Sequence, residues 1–123
     1  MAIKDSFLEI FTDVNRVLVV LAHPDDMEVN CGGLISRLID SGKKVRLIVT
    51  TNGGKGTKDK KNINEKKFAG TRVDEQLQAG KILGILQEEN FNLQIPDGEV
   101  EANLETIEKV VGVNEMAAYV HMR

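Results

Sequence analysis

Residues 16–33 read RVLVVLAHPDDMEVNCGG. The first seven, Arg16 to Ala22, form a continuous aliphatic and β-branched run. Such a run predicts a strand buried on both faces, as in a parallel sheet. Residues 23–30 turn polar and carry Pro24, which predicts a loop. Gly32-Gly33 then opens a helical pattern, with Leu34, Ile35, Leu38 and Ile39 on one face. Ser41-Gly42 ends that helix, with glycine where a helix C-terminus favours it.

The same alternation extends in both directions. Upstream, Phe7, Leu8, Ile10, Phe11 and Val14 give residues 5–14 the spacing of a short amphipathic helix. Downstream, residues 44–51 (KVRLIVTT) predict a strand in which Val45, Leu47 and Val49 alternate. A Gly-, Lys- and Asn-rich loop follows, longer than a simple connection needs. Residues 65–84 predict a helix with Phe68, Val73, Leu77, Ile82 and Leu83 as buried positions. Residues 91–95 (FNLQI) predict a third strand, Pro96-Asp97-Gly98 a turn, and residues 103–111 a further helix. Strands alternating with helices argue for an α/β fold with a parallel sheet. Ligands bind such sheets beyond the carboxyl ends of the strands. Those ends lead into His23–Asn30 and Asn52–Asn64, both rich in polar groups.

The chain has 123 residues, the size of a single domain spanning 1–123. Hydrophobic residues make up 41% and charged residues 28%, a balance that excludes a wholly disordered chain. No apolar run approaches the ~20 residues of a membrane span, and the acidic start, MAIKDSFLEIFTDV, lacks the form of an export signal. The lone Cys31 forbids an internal disulfide and suits a reducing compartment, so a cytoplasmic location is expected. The net charge of −3 excludes a chain that is basic throughout, and no nucleic-acid partner is expected. Basic residues nevertheless crowd residues 43–67, mostly in the loop after the second strand. They form either a solvated loop or a patch for an anionic ligand.

The chemistry concentrates in His23-Pro24-Asp25-Asp26-Met27-Glu28, one imidazole and three carboxylates just past a strand. Crowded carboxylates repel unless water, a cation or a proton relieves them. Histidine and aspartate together suit a borderline metal such as zinc. His23 and Asp26 can supply ligands, and Asp25 can take a proton from an activated water. The alternative is an exposed acidic turn in which Asp25 or Asp26 caps the next helix.

The motif AHPDDME followed by CGG resembles the signature of the LmbE-like (PIG-L) zinc-dependent N-acetyl-sugar deacetylases. Three further segments resemble that family in the same order: Val49-Thr50-Thr51-Asn52-Gly53, Arg72-Val73-Asp74-Glu75, and Phe91 through Glu99. The resemblance covers about residues 16–111. It implies a Rossmann-like three-layer α/β sandwich with a mainly parallel sheet. It also implies removal of the acetyl group from an N-acetylglucosamine-type substrate. By the same resemblance His23 and Asp26 are zinc ligands, Asp25 is the general base, and Arg72 and Asp97 hold sugar hydroxyls. Arg72 pairing with Glu75 on the helix surface, and Asp97 as a plain turn residue, are the competing readings. Asn30 stands where the family more often has glycine. Glu28 is expected to be a loop or helix-start residue, and Cys31 a small packed residue.

The family's third zinc ligand is a histidine beyond a fourth strand, and no matching motif precedes Arg123. The chain is therefore expected to be the N-terminal part of such a domain, with a divergent tail after about Gly112. His121 is the other histidine; a short strand at 117–120 would deliver it to the metal, against which stands its place near a terminus prone to fraying. An incomplete sheet leaves apolar surface uncovered, so self-association is expected. Two other readings stand beside the deacetylase. One is an inactive fragment of the same fold. The other is a nucleotide-binding α/β protein, whose Gly-rich segment Gly53-Gly54-Lys55-Gly56 follows the second strand rather than the first.

Overall fold

The computed structural model describes the backbone of residues 6–55 and 64–121, and the side chains of these except 6–8, 28–29 and 114–121. The elements run α1 (Ser6–Phe11), β1 (Arg16–Leu21), α2 (Asp26–Asp40), β2 (Lys44–Thr51), α3 (Glu65–Leu83), a 3-10 turn (Gln87–Glu89), β3 (Asn90–Ile95) and α4 (Leu104–His121). The three strands form one parallel sheet in the order β1-β2-β3. This is the α/β fold that the alternation predicts. Arg16 pairs with Lys44 and Leu21 with Val49, and Leu47 pairs with Asn90. The β2–β3 ladder shifts between Val49 and Thr51, at the carboxyl end where the polar loops gather.

Right-handed crossovers between neighbouring parallel strands in this order put α2 and α3 on the same face. Val45, Leu47 and Val49 of β2 meet Met27, Ile35 and Leu38 of α2 there, with Ile85 beside them. Val17, Val19 and Leu21 of β1 close the cluster from the side. Arg46 points to the opposite face. It is bound by Glu89 through Nε at 2.6 Å, lies over the Phe91 ring, and donates from Nη1 to the Val113 carbonyl of α4 at 3.1 Å.

Two expectations about the strands exchange places. The run in β1 is not buried on both faces: Leu18 and Val20 are 40% and 44% exposed. β2, expected to alternate, is buried without a break from Val45 to Val49. The reason is position: β2 is the middle strand, whereas β1 is an edge of the described sheet with helices α2 and α3 on one side only.

The helices bring further corrections. The helix expected from Gly32 starts at Asp26, inside the expected loop, and is kinked at Cys31, where φ is −146°. The Gly32-Gly33 pattern is the part beyond the kink. In α3 the buried residues are Ala69, Gln76 and Gly80, while Ile82 is exposed. α3 faces the polar start of β3: Gln76 Nε2 donates to Asn90 Oδ1 at 2.6 Å, and Asn92 Nδ2 donates to Gln76 Oε1 at 2.9 Å. Gly80 leaves room for the Asn90 amide, into which a Cβ would run. Residues 117–120 belong to helix α4, not to a strand. The side chains of His121 and Glu28, and most of the lysine-rich loop, lie outside the described residues.

Candidate metal-binding and catalytic site

The site forms where the three strands end. β1 delivers His23, Pro24 and Asp25, and α2 begins at Asp26. The turn closes on itself: the His23 N–H donates to Asp26 Oδ2 at 2.9 Å, and the Asp26 N–H donates to the His23 carbonyl at 3.1 Å. His23 Nδ1 then stands 3.5 Å from the same Asp26 oxygen. Asp25 occupies the N-cap position, yet its side chain makes no capping hydrogen bond, so the helix-cap reading does not describe it. Asn30 donates from Nδ2 to the Asp26 carbonyl at 3.0 Å, bracing the first turn of α2. Cys31 packs beside the core at the kink, as a small residue does.

β2 supplies the scaffold. Thr51 donates both its N–H and its hydroxyl to the Ala22 carbonyl, at 3.0 and 2.8 Å, locking the end of β1 to the end of β2. Asn52 donates its N–H to the Ile95 carbonyl at 3.1 Å, and the three amides after it are satisfied by side chains. Gly53 donates to Thr51 Oγ1, Gly54 to Asn52 Oδ1, and Lys55 to Asp97 Oδ2, at 3.2, 3.0 and 3.0 Å. Gly53 has a φ of 67° and packs against the Pro24 ring, where a Cβ would lie 2.7 Å from Pro24 Cδ.

β3 supplies Asp97, at the turn beyond its end. Its Oδ1 lies 3.1 Å from His23 Nε2. α3 supplies Arg72, whose Nη2 donates to Asp25 Oδ1 at 2.9 Å while its guanidinium lies over the Phe68 ring one turn earlier. The five residues singled out in the sequence thus form one constellation: His23 between Asp26 and Asp97, and Asp25 held by Arg72. Arg72 reaches Asp25 in place of Glu75, and Asp97 makes two long-range bonds rather than serving only its turn. Sequence reasoning missed Phe68 as the shelf for Arg72, although an i, i+4 aromatic–arginine pair on a helix was a visible signal. It also missed the Lys55 amide, for which a backbone N–H leaves no signal.

An imidazole beside a carboxylate is a donor pair suited to zinc. His23 and Asp26 offer two such donors, whereas catalytic zinc sites use three protein donors. Among the described residues no three His, Cys, Asp or Glu side chains group to hold a metal ion. A cleft of about 540 Å³, lined by Asn52, Glu65, Lys66, Ala69, Gly70 and Gln94, opens beside the loop after β2.

Residues 18–120 match the PIG-L family, described as GlcNAc-PI de-N-acetylase. The chain belongs to that family, and the match runs past the Val111 limit read from the sequence. Diacetylchitobiose deacetylase of Thermococcus kodakarensis is 38% identical over 77 residues, 63% of this chain and 28% of that protein. The solved N,N'-diacetylchitobiose deacetylase of Pyrococcus horikoshii, complexed with an inhibitor, superposes with a TM-score of 0.77 at 28% identity. That superposition covers 84% of this chain and 38% of the other. GalB of Pseudomonas putida KT2440, a 4-carboxy-2-hydroxymuconate hydratase, superposes at 0.71 with 25% identity, covering 81% of this chain and 42% of its own. The chain thus spans well under half the length of each of these relatives.

Proposed function

We propose that this PIG-L family chain carries the metal- and base-bearing part of an N-acetyl-sugar deacetylase, with zinc or another divalent ion as cofactor. The observation that carries the reading is the pairing of His23 Nδ1 with Asp26 beside an Asp25 that Arg72 orients. It is supported by the family match and by the named activity of two relatives.

His23 and Asp26 would hold the metal, which would polarise the acetyl carbonyl and lower the pKa of a water to ~7. Asp25, the more exposed carboxylate, accepts the proton of the attacking water. As the water oxygen bonds to the acetyl carbon and the C–N bond breaks, Asp25 returns that proton to the departing nitrogen. Acetate and a free amino sugar leave. Arg72 fixes the direction of Asp25 through the 2.9 Å bond, and Arg72 and Asp97 offer polar contacts to sugar hydroxyls. The partner is a small N-acetyl sugar or glycoside. The single cysteine suits a reducing compartment, which supports our proposal of a cytoplasmic location. No described helix is long and apolar enough to cross a membrane.

The test is acetate release from diacetylchitobiose by the zinc-loaded chain, compared with His23→Ala and Asp26→Ala. Release that both variants abolish is the expected result. No release from a chain that does bind zinc leaves the inactive-fragment reading in place. The nucleotide-binding reading is disfavoured by the loop itself, since the amides of Gly53, Gly54 and Lys55 are spent on internal acceptors rather than turned toward a phosphate. The likeness to a hydratase favours one further reading, addition of water to an unsaturated acid at the same centre. Activity on such an acid without acetate release would select it.

A further inference from the structure

We infer that Asp97 is the positioning residue of the metal site, selecting the nitrogen through which His23 binds metal. The inference rests on the reading of His23 and Asp26 as ligands, and it deepens that reading.

The two ring nitrogens of His23 face different carboxylates. Nε2 lies 3.1 Å from Asp97 Oδ1, and Nδ1 lies 3.5 Å from Asp26 Oδ2. A carboxylate only accepts hydrogen bonds, so Nε2 carries the proton in its bond to Asp97. In the neutral ring that leaves the lone pair on Nδ1, directed at the side where Asp26 stands. A lone pair and a carboxylate oxygen facing each other are the arrangement that a cation between them resolves. Asp97 therefore completes a carboxylate–histidine–metal relay, in which the outer carboxylate sets the tautomer and the orientation of the ligand.

Asp97 is built for that task. Its side chain is only 11% exposed. Its second oxygen accepts the Lys55 N–H at 3.0 Å, so the carboxylate cannot turn away without releasing the loop after β2. The orientation of the imidazole is thereby tied to the ends of all three strands. Asp26 differs in kind: it is part of the same turn as His23, and its Oδ2 already faces Nδ1.

The inference is tested by the imidazole nitrogen signals of the 15N-labelled, metal-free chain at about pH 8.5, above the ordinary titration range of histidine. The chain has two histidines, and His121→Ala assigns the signals. The parent is expected to show the Nε2–H tautomer at His23. In Asp97→Asn the side-chain oxygen still accepts from Lys55, while the amide group donates to Nε2 and drives His23 to the Nδ1–H tautomer. Zinc affinity is then expected to fall about 10–100-fold, with the melting temperature showing that the fold persists. A zinc-binding parent with the Nδ1–H tautomer overturns the positioning role alone, and that measurement needs no variant. An Asp97→Asn chain that keeps both tautomer and zinc affinity overturns it as well. A parent with the Nε2–H tautomer that takes up no zinc overturns the metal reading beneath it.

Discussion

Arg72 Nη2 and Asp25 Oδ1 stand 2.9 Å apart, joining the middle of α3 to the loop after β1 across 47 residues of sequence. The Phe68 ring supports the guanidinium, so the contact has a defined direction. Asp25 is thereby separated in role from Asp26, its neighbour in the chain, which turns to His23. Two adjacent carboxylates with different partners suit the proposed division between metal ligand and proton acceptor.

Asp25→Asn separates those roles. The amide keeps the size of the side chain but cannot take a proton. Acetate release is expected to fall about 10²–10⁴-fold, with zinc stoichiometry unchanged. Parallel loss of zinc would place Asp25 among the ligands instead.

Arg72→Ala removes the bond that aims Asp25, an ion pair open to solvent on its Asp25 side that adds little stability of its own. A fall of roughly 10–100-fold in kcat/KM is expected, again with zinc retained. Arg72→Lys restores less than half of the loss on a logarithmic scale, because an ammonium lacks the planar fork that Phe68 supports. Steady-state kinetics on the two variants decides this.

Gly53→Ala tests the scaffold rather than the chemistry. The position has a φ of 67°, and the new Cβ would meet Pro24 Cδ at 2.7 Å. The cost is expected to be about 1–3 kcal/mol, read as a lower midpoint in urea. The strain also displaces Pro24, so zinc affinity should fall with stability. An unchanged midpoint would show that the loop accommodates a side chain.

Glu89→Ala tests the face opposite α2 and α3. Arg46 and Glu89 are buried together, with Nη2 and Oε2 2.5 Å apart. Removing one member of a buried pair costs about 3–5 kcal/mol. Loss of folded signal at lower urea is the expected outcome, while a change within ~0.5 kcal/mol would mean that Arg46 is held well enough by Phe91 and the Val113 carbonyl.

The strands, their succession along the chain and the loops that carry the site were legible because apolar periodicity is local. The boundaries of β2 and the glycine that ends α3 are local signals of that kind. Which strand lies in the middle was not legible, because RVLVVL and KVRLIV are both apolar enough for either place. Only the pairing decides that Leu18 is exposed and Ile48 is not. In the site, His23 and Asp26 meet because they are three residues apart in one turn. The His23–Asp97 contact spans 74 residues and exists only because β3 ends beside the other two strands. No spacing rule within a single segment foretells it.

Zinc uptake by the metal-free chain, followed by isothermal titration, tests the central claim most directly. One zinc per chain is expected at saturation, lost in His23→Ala and in Asp26→Ala and kept in Asp25→Asn. Equal zinc binding by the parent and by both ligand variants would contradict the account.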